Sequence, residues 1–129
     1  MSITNQPTQA IILLNNFYQN DLDNYKIAYE LHELIIARYP FLTLQIKWNT
    51  PCYHFNEHNI FYFITKNHFE TKKYTKPQLF LGFVQGFKLF HSKLFIVSKL
   101  SNVKYINLTK IKKDKYKFIL EIIGNAIEV

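Results

Sequence analysis

The chain has 129 residues, is 48% hydrophobic and 17% aromatic, and contains only three Gly and four Pro. This composition excludes an intrinsically disordered or loop-rich chain and predicts one folded domain over residues 1–129. The formal net charge is +7, yet every basic residue except Arg38 is Lys. Because specific contacts to phosphates and bases favour Arg, this charge argues against a dedicated nucleic-acid reader.

The cysteine count and the hydropathy predict a cytoplasmic protein with no membrane partner. The single cysteine, Cys52, cannot form a disulfide within the chain, which fits a reducing compartment. No apolar run approaches the ~20 residues that a membrane helix requires. Residues 1–7 lack the basic start of a secretory signal.

Two helices are predicted at the N-terminal end. The first covers Thr8–Gln19, where apolar residues recur at helical spacing. The second covers Leu22–Arg38, because Asp21 supplies a capping acceptor before it and Pro40 cannot continue it. The predicted core-facing residues of the two helices are Ile11, Ile12, Leu14 and Tyr18, then Ile27, Ala28, Leu31, Leu34 and Ile35.

A strand that ends at a corner is predicted after the second helix. Leu42–Trp48 alternates strictly between apolar and polar residues, with Trp48 on the apolar side. Pro51 cannot donate a ladder hydrogen bond, so we expect the strand to stop or bend there and a second strand, Cys52–Phe55, to begin after it. At the corner, the indole of Trp48 either packs on the core or forms the wall of a ligand groove.

A hairpin follows, because the polar turn Asn56–Asn59 precedes the β-rich run Ile60–Ile64. The next segment, Thr65–Pro77, is polar and basic, and we expect it to be a long, mobile loop. Gln78–Val84 is predicted to be another strand. Gly82 within that strand indicates a bulge or a close backbone approach.

The C-terminal third completes the predicted fold. Gly86–His91 is expected to be a turn or short helical piece, whereas Lys93–Lys99 fits either an edge strand or an irregular crossing. Val103–Leu108 is the last predicted strand and Lys113–Ile127 the last helix, with Phe118, Ile119, Ile122, Ile123 and Ala126 towards the core. The fold class is therefore α+β, with a twisted antiparallel sheet of about five strands packed by two N-terminal helices and one C-terminal helix.

The proline after the second helix and a strand ending in I-x-W-x-x-P-x-Y resemble the YdhG-like family of small bacterial domains of unknown function. The matching residues are Pro40, Ile46, Trp48, Pro51 and Tyr53. Leu81–Gly82–Phe83 and Gly86 resemble the family's glycine-punctuated strand and turn, and its later basic positions and strand match Lys99, Lys104 and Ile106. The resemblance implies the α+β fold and rests on structural residues.

The first functional hypothesis is a non-catalytic binding domain with a groove for a small anionic ligand near the Trp corner. Its candidate residues are Trp48, Tyr53, Tyr62, Lys99 and Lys104. A partly buried Lys facing aromatic side chains suits an anion. A protein partner is an alternative, since the aromatic strands Ile60–Ile64 and Leu79–Val84 indicate either a homodimer interface or a fully buried sheet.

The second hypothesis follows from the resemblance. The YdhG-like fold is similar to frataxin, which implies an iron-binding chaperone for iron–sulfur cluster assembly. Iron prefers hard oxygen ligands, but the first predicted helix has no acidic residue, so the candidate ligands are His54, Glu57, His58 and Asp21. His54–His58 also spells H-x-x-E-H, a zinc-peptidase pattern, although it falls at a strand end and turn instead of on a helix.

The third hypothesis is weak nucleic-acid binding through a lysine-rich face. The residues concerned are Lys99, Lys104, Lys110, Lys112, Lys113, Lys115 and Lys117, with Tyr105 and Tyr116 between them. No DNA- or RNA-binding motif accompanies them, and a solubilising surface also explains them. An enzyme has the least support, because no base or helix N-terminus is predicted beside the thiol of Cys52. Apart from the iron of the second hypothesis, no cofactor is predicted.

Overall fold

An antiparallel sheet, with helices from both ends of the chain on one of its faces, organises the fold. The structure, a computed structural model, describes residues 3–4, 7–69, 72–96 and 102–129. The helices are α1 (Pro7–Phe17), α2 (Leu22–Arg38) and α3 (Tyr116–Glu128). The strands are β1 (Ile3–Thr4), β2 (Thr43–Lys47), β3 (Thr50–Phe55), β4 (His58–Phe69), β5 (Lys72–Phe83) and β6 (Lys104–Asn107). Short 3-10 turns lie at Gly86–Lys88, Leu108–Lys110 and Lys113–Lys115.

Each strand pairs with its neighbour along the chain, so the sheet order is β1-β2-β3-β4-β5-β6 and all pairs are antiparallel. β1 contributes only two residues beside β2, and five longer strands make up the rest of the sheet. The predicted α+β fold, with two N-terminal helices and one C-terminal helix on an antiparallel sheet, is confirmed.

Helix α2 begins and ends where its capping residues predict. The carboxylate of Asp21 accepts the backbone N–H of Asn24 at 3.3 Å and its side-chain amide at 2.8 Å, which satisfies donors of the first turn. At the other end, the N–H of Tyr39 bonds to the carbonyl of Ile35 before Pro40. The predicted buried residues Ala28, Leu31 and Ile35 are confirmed. Leu34 is 42% exposed, so its prediction is wrong, and the buried face instead includes Asn24 and His32.

The two faces of the sheet carry two separate clusters, because successive side chains of a strand point to opposite sides. The helix-covered face holds the main core with Leu44, Tyr53, Phe61, Phe63, Leu79, Leu81, Phe83 and Ile106. The opposite face holds a second, aromatic cluster built on Tyr62, Phe69, Phe80 and Tyr105. On this opposite face Phe80 is buried, whereas Tyr62, Ile64 and Val84 remain partly exposed.

The expected mobile loop at Thr65–Pro77 is wrong, because β4 and β5 continue through most of it as a hairpin. The register shifts between Lys66 and His68, which bends the hairpin. Beyond this bend, the ring of Phe69 stacks on Phe80 with centroids 5.1 Å apart. The polar composition of the segment concealed this contact, which draws the end of the hairpin onto the aromatic cluster.

A two-residue hairpin turn occupies the predicted Trp corner. Lys47 pairs with Thr50, and the residues between them, Trp48 and Asn49, have φ values of 54° and 61°, as in type I′ turns. Trp48 therefore lies outside the alternation of β2, and its side chain is 58% exposed. The predicted hairpin between β3 and β4 is confirmed, with the turn at Asn56–Glu57.

The strand predicted from Leu42 does end before Pro51, at Lys47, but the next strand does not wait for the proline, since β3 begins at Thr50 and runs through Pro51. On the β4 side, Pro51 lies opposite Phe63, one position beyond the Cys52–Tyr62 pair. The hydroxyl of Thr50 donates a hydrogen bond to the carbonyl of Phe63. Pro51 has no N–H to donate to this carbonyl, and the hydroxyl of Thr50 donates to it instead. The strand therefore continues without an unsatisfied carbonyl.

The remaining predictions concern residues after β5. The expected short helical piece is present at Gly86–Lys88. Within Lys93–Lys99, Phe95 forms an isolated bridge to Ile106, and residues 97–99 lie outside the described residues. In α3, Ile119, Ile123 and Ala126 are buried as predicted, whereas Phe118 is 40% exposed and its core assignment is wrong. None of the helices in the described parts of the chain has the length and apolar character that crossing a bilayer requires.

Candidate functional site

The structure brings together two of the five residues predicted for an anion groove. The rings of Trp48 and Tyr62 meet edge to face, with centroids 5.8 Å apart. Tyr62 lies on the opposite face of the sheet, where its hydroxyl is 2.9 Å from the hydroxyl of Tyr105. Burial and this hydrogen bond raise the pKa of the Tyr62 phenol, so it remains protonated near neutral pH.

The other predicted groove residues lie elsewhere. Tyr53 is fully buried on the helix-covered face, where its hydroxyl is 2.6 Å from Nδ1 of His32. Lys104 pairs with Phe83, whose side chain belongs to that same face. Lys99 is outside the described residues. A ligand on the Trp48–Tyr62 surface would therefore not reach Tyr53 or Lys104, because the sheet lies between them.

The residues predicted as iron ligands have separate surroundings. Asp21 caps α2, and Nδ1 of His54 lies 2.6 Å from the hydroxyl of Thr43. Glu57 is in the β3–β4 turn with φ of 65°, and His58 begins β4. Within residues 3–4, 7–69, 72–96 and 102–129, no group of three or more His, Cys, Asp or Glu side chains is placed to hold a metal ion.

A cleft of about 280 Å³ lies where the β3–β4 turn meets the segment after β5 and the C-terminal part of α3. Its apolar lining includes Ile60, Phe83, Leu89 and Ile127. Its polar lining consists of Asn56, His58, Asn59, Gln85 and Lys88. A small apolar floor surrounded by a few polar side chains is the usual construction of a ligand site.

The pairing of β4 with β5 brings the polar lining together. Phe61 pairs with Phe83, so the start of β4 and the end of β5 lie side by side although they are far apart in sequence. His58 and Asn59 then face the turn that follows β5, which carries Gln85 and Lys88.

Gly86 fixes the position of that turn. A Cβ atom on Gly86 would collide with the backbone nitrogen of Lys104, so only glycine allows this approach. The N–H of Lys88 bonds to the carbonyl of Gln85, and the N–H of Leu89 bonds to the carbonyl of Gly86, each at 3.0 Å. This short helical turn therefore holds Gln85 and Lys88 beside the cleft.

No protein-family model, curated protein or solved structure matches this chain. The residues that carry the YdhG-like resemblance serve packing and turn geometry in this fold. Trp48 lies in a tight turn, Tyr53 is in the core, and Gly86 allows the close approach to Lys104. The family assignment stays a prediction.

The side chains that line the cleft carry a net positive charge. Its ionisable side chains among the described residues are those of His58 and Lys88, and no described acidic side chain lines it. The amide oxygen of Asn59 accepts a hydrogen bond from Nε2 of Gln45 at 3.2 Å, which leaves its N–H groups as donors. The ammonium of Lys88 and the amide donors around an apolar floor match the chemistry of a small organic anion.

A nucleophilic thiol does not fit the surroundings of Cys52. Its side chain is buried, and burial raises the pKa of the thiol to about 12. Because the thiolate is the reactive form, Cys52 at neutral pH is a poor nucleophile. Its sulfur lies 3.8 Å from the amide oxygen of Asn59, so it packs under the cleft residue instead of lining the cleft.

Sequence reasoning missed Asn56, Asn59, Gln85 and Lys88 as functional candidates. Two signals could have pointed to them: the Asn-rich turn before β4 and the glycine turn after β5. Both turns lie at the same end of a long β4–β5 hairpin, which places them together. Because residues 65–77 were interpreted as a loop, the long hairpin that brings the two turns together was not predicted.

Proposed function

We propose that this protein is a non-catalytic binding domain that holds a small organic anion in the cleft lined by His58 and Lys88. The observation that supports the proposal most directly is the combination of those two side chains with three amides around an apolar floor. Ligand sites of small proteins commonly have volumes of roughly 300–1,000 Å³. The volume of about 280 Å³ lies just below this range, so the cleft suits a small ligand.

The ligand class follows from the distribution of polar and apolar groups. A carboxylate or phosphate head would accept hydrogen bonds from the ammonium of Lys88 and from the side-chain amides. Charge-assisted hydrogen bonds of this kind compensate for the water that the anion loses. A short aliphatic or aromatic body would cover Phe83 and Ile60 at the floor of the cleft. The proposal keeps the anionic ligand of the sequence-based hypothesis and assigns it to different residues.

The protonation state of the nearby Cys52 thiol supports ligand binding without a chemical reaction. The thiol of Cys52 is protonated at neutral pH because burial raises its pKa to about 12.

We also propose a cytoplasmic location, which is supported by a single cysteine with no partner for a disulfide within the chain.

Calorimetric titration with a panel of small carboxylates and phosphate esters tests the proposed function. We expect at least one member to bind the wild type and to bind Lys88→Gln about tenfold more weakly, which corresponds to the loss of one charge-assisted hydrogen bond. Lys110→Gln is the matched control, because Lys110 is exposed and does not line the cleft. Equal affinity of the two variants for every bound compound, or no binding by any compound, would contradict the proposal.

A further inference from the structure

A second, larger groove lies between α3 and the segment after β5. Its volume is about 530 Å³, and its apolar walls are Phe90 and Leu94 on one side and Phe118 and Ile122 on the other. Phe90 is 81% exposed and Phe118 is 40% exposed. Large apolar side chains at this exposure, gathered along one groove, are typical of a surface that binds another molecule.

The wall that carries Phe90 is held in place by hydrogen bonds. The backbone N–H of Phe90 donates to the side-chain oxygen of Asn125 on α3 at 3.1 Å. The hydroxyl of Ser92 accepts the N–H of Leu94 at 3.1 Å, and the N–H of Phe95 bonds to the carbonyl of Ser92. The groove is therefore formed before any partner binds, which lowers the entropic cost of docking.

The charged side chains around the groove indicate which kind of partner it binds. Among the described residues, the lining contains Lys93 and Lys115 against one acidic residue, Glu121. The ammonium groups of Lys115 and Lys117 lie 5.6 and 5.2 Å from the centroid of the Phe118 ring. With a net charge of +7, a second copy of this chain would bring like charges together at this surface. The complementary occupant is acidic.

We infer that this groove docks an acidic segment of a partner protein, one that carries aliphatic or aromatic anchor residues. The anchors fill the space between Phe90, Leu94 and Phe118, and carboxylates beside them pair with Lys93 and Lys115. A groove that receives apolar anchors from one face of a peptide is a common recognition mode. A lipid surface fits less well, because it cannot fill a concave groove and would face the carboxylate of Glu121.

Selection of peptides on the intact protein tests this inference without assuming a sequence. A displayed library of random twelve-residue peptides is enriched on the wild type, and the selected peptides are synthesised and titrated by fluorescence anisotropy. We expect the selected peptides to be rich in Asp and Glu with at least two large apolar residues. We expect Phe90→Ser and Lys115→Glu each to weaken their binding by about tenfold or more.

Two control variants separate docking from general effects on the surface. Leu22→Ser removes an apolar side chain that is 72% exposed and lies outside the groove. Lys110→Glu makes the same charge change as Lys115→Glu at an exposed site outside the groove. Both controls should bind the selected peptides as the wild type does. Because Phe90 is so exposed, Phe90→Ser should also keep the wild-type circular dichroism spectrum and melting temperature.

Several results would overturn the inference. Selected peptides without excess acidic residues, or with affinities unaffected by Phe90→Ser, would rule out this groove as an acidic-peptide site. Sedimentation of phosphatidylserine vesicles with the wild type but not with Phe90→Ser, in the absence of peptide enrichment, would assign the surface to lipid. Concentration-dependent dimerisation lost in Phe90→Ser would assign it to a second copy of the chain.

Discussion

The hydroxyl oxygens of Tyr62 and Tyr105 lie 2.9 Å apart on the opposite face of the sheet, across Gly82. The three residues stand side by side on β4, β5 and β6. A Cβ atom on Gly82 would be 2.7 Å from Cζ of Tyr62 and 3.0 Å from Cε1 of Tyr105. Glycine at this position therefore makes room for the tyrosine pair, whereas the sequence predicted a bulge or a close approach of backbone.

We expect Gly82→Ala to lower the free energy of unfolding by about 1–3 kcal/mol, because both rings would have to leave their packed positions. Urea unfolding followed by far-ultraviolet circular dichroism measures the change. The same substitution in a Tyr62→Leu background should cost clearly less, since the nearest ring atoms are then absent. Equal costs in the two backgrounds would contradict the packing explanation.

A second prediction concerns Asn24, which connects three parts of the fold. Its Nδ2 donates to Asp21 at 2.8 Å and to the carbonyl of Pro77 at 3.1 Å, and its oxygen accepts from the hydroxyl of Thr109 at 3.3 Å. The Asn24 side chain is only 3% exposed. Asn24→Ala should lower the free energy of unfolding by roughly 1–3 kcal/mol, because it leaves buried polar groups without partners.

Denaturant titration of Asn24→Ala beside Asn20→Ala provides the comparison. Asn20 is exposed and lies between α1 and α2, so its substitution should change the free energy of unfolding by no more than about 0.5 kcal/mol. If the two variants were equally stable, Asn24 would not contribute through its buried hydrogen bonds.

The pH dependence of the free energy of unfolding should reflect the protonation of His32. This residue is buried, with Nδ1 2.6 Å from the hydroxyl of Tyr53, and burial lowers the pKa of its imidazole. In the unfolded chain a histidine titrates near pH ~6.5. As the pH falls below this value, the unfolded state binds a proton that the folded state does not bind. The free energy of unfolding therefore has its full value above pH ~6.5 and decreases as the pH falls towards the lower pKa of His32 in the folded state.

Thermal unfolding at pH 7.5 and at pH 5 tests this prediction in the wild type and in His32→Gln. The variant keeps an amide that can pair with the hydroxyl of Tyr53 and removes the titrating ring. We expect a smaller difference in melting temperature between the two pH values for His32→Gln. A difference as large as that of the wild type would assign the pH dependence to other groups.

The β3–β4 turn offers a stabilising substitution. Glu57 has φ of 65°, a left-handed conformation that costs a non-glycine residue about 1 kcal/mol, and it follows Asn56 in a two-residue turn. Glu57→Gly creates the preferred Asn-Gly pair and should raise the free energy of unfolding by about 0.5–1 kcal/mol. Urea unfolding measures the gain, and Glu57→Gln, which removes the charge but keeps the strained backbone, should show none. A gain of equal size in both variants would mean that charge and not conformation is responsible.

Local patterns in the sequence were sufficient for the helices and for most strands. The bounds of α2 follow from Asp21, from the apolar residues at helical spacing, and from Pro40, which all act within a few residues of the helix. The β3–β4 hairpin follows equally from polar turn residues between two β-rich runs. These features depend on neighbours in the chain, so they can be predicted before any tertiary contact is known.

The hairpin beyond Ile64 and the exposure of Phe118 could not be predicted in this way. Where the structure describes residues 65–77, much of the hairpin is exposed, which matches its polar sequence, and strand pairing and ring contacts such as that of Phe69 with Phe80 set its position. Phe118 fits an apolar helical stripe, but the rotation of α3 on the sheet places Ile119 in the core and Phe118 at the groove.

The sequence by itself determined the α+β class, the bounds of α2 and the β3–β4 hairpin, because these depend on local backbone conformation and on side-chain periodicity. Only the tertiary structure decided which residues meet. The register of Phe61 with Phe83 brings His58 beside Lys88, and the pleat of the sheet separates Tyr53 from Tyr62. Pairing between distant strands is a property of the whole sheet, so the cleft could not be predicted from any single stretch of the chain.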